Sequence, residues 1–242
     1  MITTQEHYGK VTIQMQSKRN WYDVLFTLSV VGMIQALVLL PLSIIAYAGG
    51  SAVEPSSPGF SMLYNFFSDL GRGTAYSGAP NLISSILFNA SLFFTGALLI
   101  PYFVAFPKLF QSTREPMLFS LLGSVVGVFF ASTFVGAAFT PSDIFRDTHL
   151  MFGALAFVSG LPIVVFHIFA ILGSPNFPNR FSLVYLALGV VLSLFLYSMY
   201  QVDPTELSLA VTIGQKFVVV SIMLCFLVQS LVSRNIVRSS NV

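Results

Sequence analysis

Three groups of residues carry the chemistry this sequence could perform. The stretch NFFSDLGRG sets Asn65, Ser68, Asp69 and Arg72 beside two phenylalanines. Together an amide, a hydroxyl, a carboxylate and a guanidinium could grip a charged headgroup, form part of a reacting site, or simply close a helix at a membrane surface. The stretch TPSDIFRDTH supplies Asp143 and His149. A neutral imidazole with a carboxylate nearby suits a general base and its orienter. One histidine with two aspartates lacks the spacing of HExxH or CxxC, so no metal site is expected. Lys216 is the third group: an ammonium inside a long apolar run, twelve residues past Pro204 and so roughly 18 Å into a helix. A charge at such depth costs about 2.5–3.5 kcal/mol on insertion scales and usually marks a pathway or a site.

The elements that must position these groups follow from composition. Of the 242 residues, 55% are hydrophobic and 8% charged, with 25 phenylalanines and a mean hydropathy of +0.84. Soluble domains carry about a quarter charged residues. Six apolar runs, approximately 22–48, 80–106, 117–139, 149–173, 181–201 and 205–233, each have about the 20 residues that a helix needs to cross a bilayer core. The expected fold is an all-α, polytopic integral membrane protein: a single membrane domain over 1–242, a six-transmembrane-helix bundle preceded by a polar tail over 1–20. Net charge is +2 and no basic stripe lies outside the membrane flanks, which excludes a nucleic-acid partner. The single cysteine, Cys225, falls in the last run and reads as a packing residue.

Basic residues alternate between connections. Lys10, Lys18, Arg19, Lys108, Arg114, Arg180, Arg234 and Arg238 fall on one side, and only Arg72 and Arg146 on the other. The positive-inside rule then puts both termini in the cytoplasm and the protein, multi-pass, in the cell membrane. On the outer side, Phe60, Leu63, Tyr64 and Phe67 recur at helical spacing opposite Ser61, Asn65, Ser68 and Arg72. The pattern predicts a short amphipathic helix lying in the interface, with Gly71 as its C-cap. Thr140, Pro141 and Asp143 resemble an N-cap, a first-turn proline and an N3 acid, as do Asp203, Pro204 and Glu206.

Within the bundle, Asn81, Ser85 and Asn89 form a polar stripe whose amides need partners in hydrocarbon. Ser208, Thr212 and Lys216 form another, with Gln215 adjacent. His167, alone on an apolar run, reads as a packing histidine. Gly123, Gly127 and Ala131 make a small-residue ridge that could admit another membrane subunit.

The segments FSDLGR, FNASLFFTG and GAAFTPSDIFRDTHLMFGALAF resemble prokaryotic six-helix membrane proteins grouped as a domain of unknown function. That group is similar to the DRAM/Sfk-like membrane proteins. The resemblance picks out Ser68, Gly71, Asn89, Gly96, Gly136, Pro141, Asp143 and His149, with Gly214 and Lys216 in the last helix. It implies an architecture, and a link to lipid handling through some of the DRAM/Sfk-like proteins, without fixing an activity or a cofactor.

Three functions follow as expectations. The first is binding or processing of membrane lipids at the outer leaflet. Asn65, Ser68, Asp69, Arg72, Asn89 and Lys216 would bind the ligand, with Asp143 and His149 catalytic if there is chemistry. The second is a noncatalytic scaffold or complex subunit, and the third a small-molecule or proton-coupled transporter.

Overall fold

Apolar runs that cannot hydrogen-bond to lipid must satisfy their backbone internally, and here all six do so as α-helices. In the computed structural model, residues 2–202 and 208–239 are described, with side chains from Trp21 onward. The helices are α1 (Ile2–Ile45), α2 (Leu82–Ala105), α3 (Arg114–Ala138), α4 (Arg146–Leu172), α5 (Ser182–Tyr200) and α6 (Leu209–Ser239). With the short 3-10 turns that adjoin α2 and α5, each gives a span of at least 22 residues containing an 18-residue window of mean hydropathy 1.9 or more, long enough to cross a core of roughly 30 Å. The chain is a multi-pass membrane protein. The helical backbone of α1 also runs back to Ile2, through the stretch expected as a polar tail. Asp203, Pro204 and Glu206 lie outside the described residues.

Each helix packs on its neighbours in sequence, and α6 returns to pack on α1, so the six close a ring in chain order. An even helix count puts the start of α1 and the end of α6 on one face, here the tail face. The 46–81 loop and the 139–145 connection occupy the opposite face, the loop face. The ring is fastened at the tail face by Asp23, whose carboxylate meets Arg234 at 3.0 Å and Arg238 at 2.7 Å. Asp23 stands inside the first run, which was expected to be free of charge. Higher up, Ser29 Oγ donates to the Leu98 carbonyl (3.0 Å) and Gln35 Nε2 to the Ser91 carbonyl (3.2 Å), joining α1 to α2.

The tail half of the ring is filled by aromatic rings. Tyr102, Phe103, Phe106, Phe110, Phe130, Tyr185 and Phe226 are almost fully buried and meet one another at ring-centroid distances of 5.0–6.2 Å. His167 belongs to this packing. Its Nδ1 lies 2.8 Å from Tyr185 Oη, which in turn lies 2.8 Å from Tyr102 Oη. The small-residue ridge of α3 serves the same core. A side chain at Gly123 would meet the His167 ring, and one at Gly127 would overlap the Phe103 ring. Both glycines are buried by the chain's own rings.

The helix expected in the first outer loop is present only as a 3-10 stretch, Phe67–Gly71, preceded by a turn in which Asn65 N bonds the Ser61 carbonyl (3.0 Å). It does not lie on the interface with its polar face outward. Asn65, Phe67, Asp69, Leu70 and Gly71 are buried, whereas Met62, Leu63 and Tyr64 are exposed. The loop turns its polar groups inward because partners wait there.

Candidate functional site

The 46–81 loop leaves α1 through Gly49 and Gly50, whose φ angles are +99° and +82°. At Gly50 a Cβ would come within 2.7 Å of the Tyr76 backbone carbon, so two strands of the loop touch where only glycine fits. Four side chains on the first turns of α2 then hold the loop down. Asn81 accepts from Ala48 N (3.1 Å) and donates to the carbonyls of Leu70 (3.1 Å) and Arg72 (2.9 Å). Ser84 Oγ reaches the carbonyls of Ser43 and Leu70, and Ser85 Oγ and Asn89 Nδ2 reach the carbonyl of Gly71 (2.9 and 3.1 Å). The polar stripe of α2 therefore partners the 3-10 backbone rather than another helix. Gly71 is not a left-handed cap. Its Cβ position lies 2.7 Å from Asn89 Oδ1 and 2.8 Å from Phe88 Cδ1, so glycine is what lets the turn press against α2.

From the other side, α6 grips the same loop. Lys216, only 7% exposed, donates from Nζ to the Asn65 carbonyl (2.5 Å) and the Thr212 carbonyl (2.9 Å). Its ammonium also faces the Phe60 and Phe67 rings at 5.8 and 5.7 Å. Beside it, Gln215 Oε1 accepts from Phe67 N (2.8 Å). Asn65 is fully engaged: Oδ1 accepts from Ser61 N, and Nδ2 donates to the Gly50 carbonyl and to Asp69 Oδ2. Asp69 Oδ2 also accepts from Phe66 N at 2.8 Å. Burial raises the Asp69 carboxyl above the ordinary carboxylate range, and its bonds from Asn65 and Phe66 and the charges of Arg72 and Lys216 oppose that rise. Among the described residues Lys216 forms no ion pair with an acid. It latches the loop instead of forming the open floor of a binding site.

Beneath the latched loop lies a cavity of about 80 Å³. Its walls come from α1 (Leu40), α2 (Phe88, Ser91, Leu92, Thr95), α3 (Thr133, Phe134, Ala137), α4 (His149, Phe152, Gly153, Ala156, Phe157) and α6 (Gln215, Val219, Ile222, Met223), with Phe67 and Ser68 of the loop above. Counting from His149 to Phe157 along α4, it reaches roughly 12 Å inward. Thr133 Oγ1 is bonded to the Phe130 carbonyl and Thr95 Oγ1 accepts from Gln35. The polar groups at the loop end are Ser68, His149 and Gln215.

His149 is 8% exposed and its Nδ1 lies 2.8 Å from the Thr140 carbonyl. A carbonyl can only accept, so Nδ1 carries the hydrogen and, in the neutral ring, Nε2 carries the lone pair. Asp143 is not the orienter of His149: its Oδ2 accepts from Thr74 N at 2.9 Å, tying the 139–145 connection to the first loop. Nor does Asp143 cap a helix. The segment 141–145 is a turn, with Phe145 N on the Pro141 carbonyl (2.8 Å), and α4 starts at Arg146. Thr140 Oγ1 bonds back to the carbonyls of Gly136 and Ala137, at the end of α3.

Of the eight site residues read from sequence, the structure thus brings Ser68 and His149 to one cavity. Asn65, Asp69, Asn89 and Lys216 lie in the loop's anchorage, and Arg72 and Asp143 sit at the loop face. Gln215, Asn81 and Ser84 do more than their sequence setting signalled. The one hint was their position on the loop-side turns of α6 and α2, in phase with the polar stripes. Among the described residues no group of three or more His, Cys, Asp or Glu converges as a metal site, and no hydrogen bond joins Ser68 to His149. The arrangement is a small, mainly apolar cavity with Ser68, His149 and Gln215 in its wall. No family model, curated protein or solved structure matches the chain.

Proposed function

We propose that this protein binds membrane lipid, taking one apolar chain into the loop-side half of its helix ring with the chain's polar end at Ser68, His149 and Gln215. The observation that carries this reading is the cavity itself, lined mainly by apolar side chains, with Ser68, His149 and Gln215 at its loop end. Its volume is well below the roughly 300–1,000 Å³ of sites that enclose a whole drug-sized ligand. A slender chain suits it and a bulky headgroup does not. The bias of basic residues toward the tail face supports cytoplasmic termini in a cell membrane, which would put the cavity in the outer leaflet. Binding is favoured over turnover because among the described residues no hydrogen bond joins Ser68 to His149, and Asp143 bonds Thr74 N instead of orienting the imidazole.

Photolabelling with a diazirine-bearing fatty acid, in nanodiscs, tests the reading. Label should map to α4 between Phe152 and Phe157 and to α6 between Val219 and Met223, and should fall in Gly153→Phe. At Gly153 a Cβ meets nothing within 4 Å, so the new ring can fill the cavity without disturbing the backbone. Label confined to outward-facing residues such as Val158 and Leu224, unchanged by Gly153→Phe, would refute it.

A further inference from the structure

The wall of the cavity continues outward into charge. Ser68 lines the cavity, and Arg72 follows it four residues on, at the end of the same 3-10 turn. His149 lines the cavity too, and Arg146 precedes it by three residues, one turn of α4 nearer the loop face. These are the two basic residues of the loop side, and each stands one turn above a polar group of the cavity.

The two segments are tied together. Arg72 Nε donates to the Thr74 carbonyl (3.1 Å), and Thr74 N donates to Asp143 Oδ2 (2.9 Å), three residues before Arg146. Arg72 is further held by the Tyr76 ring, with its guanidinium carbon 4.1 Å from the ring centroid. Burial raises the Tyr76 phenol, the Asp69 charge adds to that rise, and the charges of Arg72 and Arg146 oppose it. Stacking fixes the guanidinium plane, and among the described residues its terminal nitrogens make no hydrogen bond to protein. Among the described residues neither arginine is paired with an acid within 4 Å. Asp143 and Asp147 share this rim: Asp143 Oδ2 accepts from Thr74 N, its Oδ1 is buried without a hydrogen-bond partner among the described residues, and Asp147 is exposed.

From inside outward the order is an apolar cavity, a hydrogen-bonding neck and a cationic rim. We infer that the ligand is a single-chain anionic amphiphile, its carboxylate or phosphate held between Arg72 and Arg146 while its chain enters the cavity. This rests on the lipid-binding reading above and adds the charge of the headgroup to it. Arginine suits either anion because its planar fork matches both in bidentate geometry.

The test uses the full chain in phosphatidylcholine nanodiscs and three probes with the same tail: oleate, oleoyl lysophosphatidate and uncharged oleyl alcohol. Each competes against the diazirine label. A charge-assisted bond to the rim should make the anionic probes bind roughly tenfold or more tighter than the alcohol. In Arg72→Gln/Arg146→Gln that advantage should vanish while the alcohol binds as before. Preference for lysophosphatidate alone would assign a phosphate, and preference for oleate a carboxylate. Equal binding of all three probes, or an anionic preference that survives the double substitution, overturns the headgroup inference and leaves the cavity reading standing. Gly153→Phe separates the two: if it leaves alcohol binding untouched, the chain does not enter the cavity and both readings fall.

Discussion

Replacing Lys216 by methionine isolates the latch between α6 and the first loop. Methionine keeps most of the side chain's length and apolar bulk but removes the ammonium. The Asn65 carbonyl then loses its charged donor, whose bond at 2.5 Å is of a kind that contributes about 1.5–3 kcal/mol. The contacts to Phe60 and Phe67, at 5.8 and 5.7 Å, add on the order of 0.5–1 kcal/mol each. Against these stands the cost of drying the ammonium when the loop closes over it, which cancels much of the gain. A net of about 1–2 kcal/mol remains for the latch, or a five- to thirtyfold change in how often the loop opens. Amide hydrogen exchange in nanodiscs reads this directly. The amides of Asn65, Phe66 and Phe67, which donate to the Ser61 carbonyl, Asp69 and Gln215, should exchange faster by that factor in Lys216→Met. Amides in the middle of α2 to α5 should not change. Unchanged exchange across 60–71 would refute the latch, and acceleration spread evenly over all six helices would show that Lys216 supports helix packing instead.

Asp69→Asn tests the charge state of the same loop. The folded carboxyl titrates above its ordinary value of about 4, so between that value and its raised one the folded protein holds more protons than the unfolded chain. Stability contributed by this group therefore falls as pH rises through that window, and the loss persists at pH 7. The asparagine variant should melt no lower than the parent at pH 7, and Asp69's share of the pH dependence above pH 4 should disappear; a clearly lower midpoint would contradict the direction. In the tail half, Gly127→Ala should cost about 1–3 kcal/mol by overpacking against the Phe103 ring, read as a lower thermal midpoint. Gly153→Ala, with open space at its Cβ, should stay within about 0.5 kcal/mol of the parent; equal losses at both glycines would mean that the ring contacts do not govern tolerance.

The six spans were legible because crossing a bilayer demands a long, uncharged apolar run, and a chain with so few charges has little freedom to disguise one. Most of their ends moved by only a few residues, as at α4, which starts at Arg146 instead of near His149, but α1 continues back to Ile2. The first loop was harder. Its helical period was present in the residues, but which side turned inward depended on partners far away in sequence. The side chains of Asn65 and Asp69 bond within the loop, but the loop backbone at Asn65, Leu70 and Gly71 is held by donors from Lys216, 151 positions on from Asn65, and from the stripe on α2, which the loop's own sequence does not contain. Asp143 misled in the same way. Thr-Pro-Ser-Asp has the local form of a helix start, yet a backbone amide at Thr74 claims the carboxylate and the helix begins three residues later. Gly71 looked like a helix terminator because glycine often is one. Its absent side chain is used instead for close packing on Phe88 and Asn89.

The two halves of the ring differ for one physical reason. Six helices packed edge to edge leave an axis wide enough that only large side chains can fill it, and empty interior is costly. In the tail half, Tyr102, Phe103, Phe130, His167, Tyr185 and Phe226 fill it, and Asp23 with Arg234 and Arg238 clamps the helices around them. In the loop half the inward positions include Ser91, Thr95, Thr133, Ala137, Gly153 and Ala156, too small to meet across the axis. That end is closed by a loop held by hydrogen bonds and by a smaller cluster that includes Tyr47, Phe60, Phe67, Leu70 and Phe88. Opening at the loop end breaks those polar contacts and this small cluster, whereas opening at the tail end must pull apart the larger aromatic core. Any exchange of a bound chain with the bilayer is therefore expected at the loop face, past Lys216 and between the two arginines.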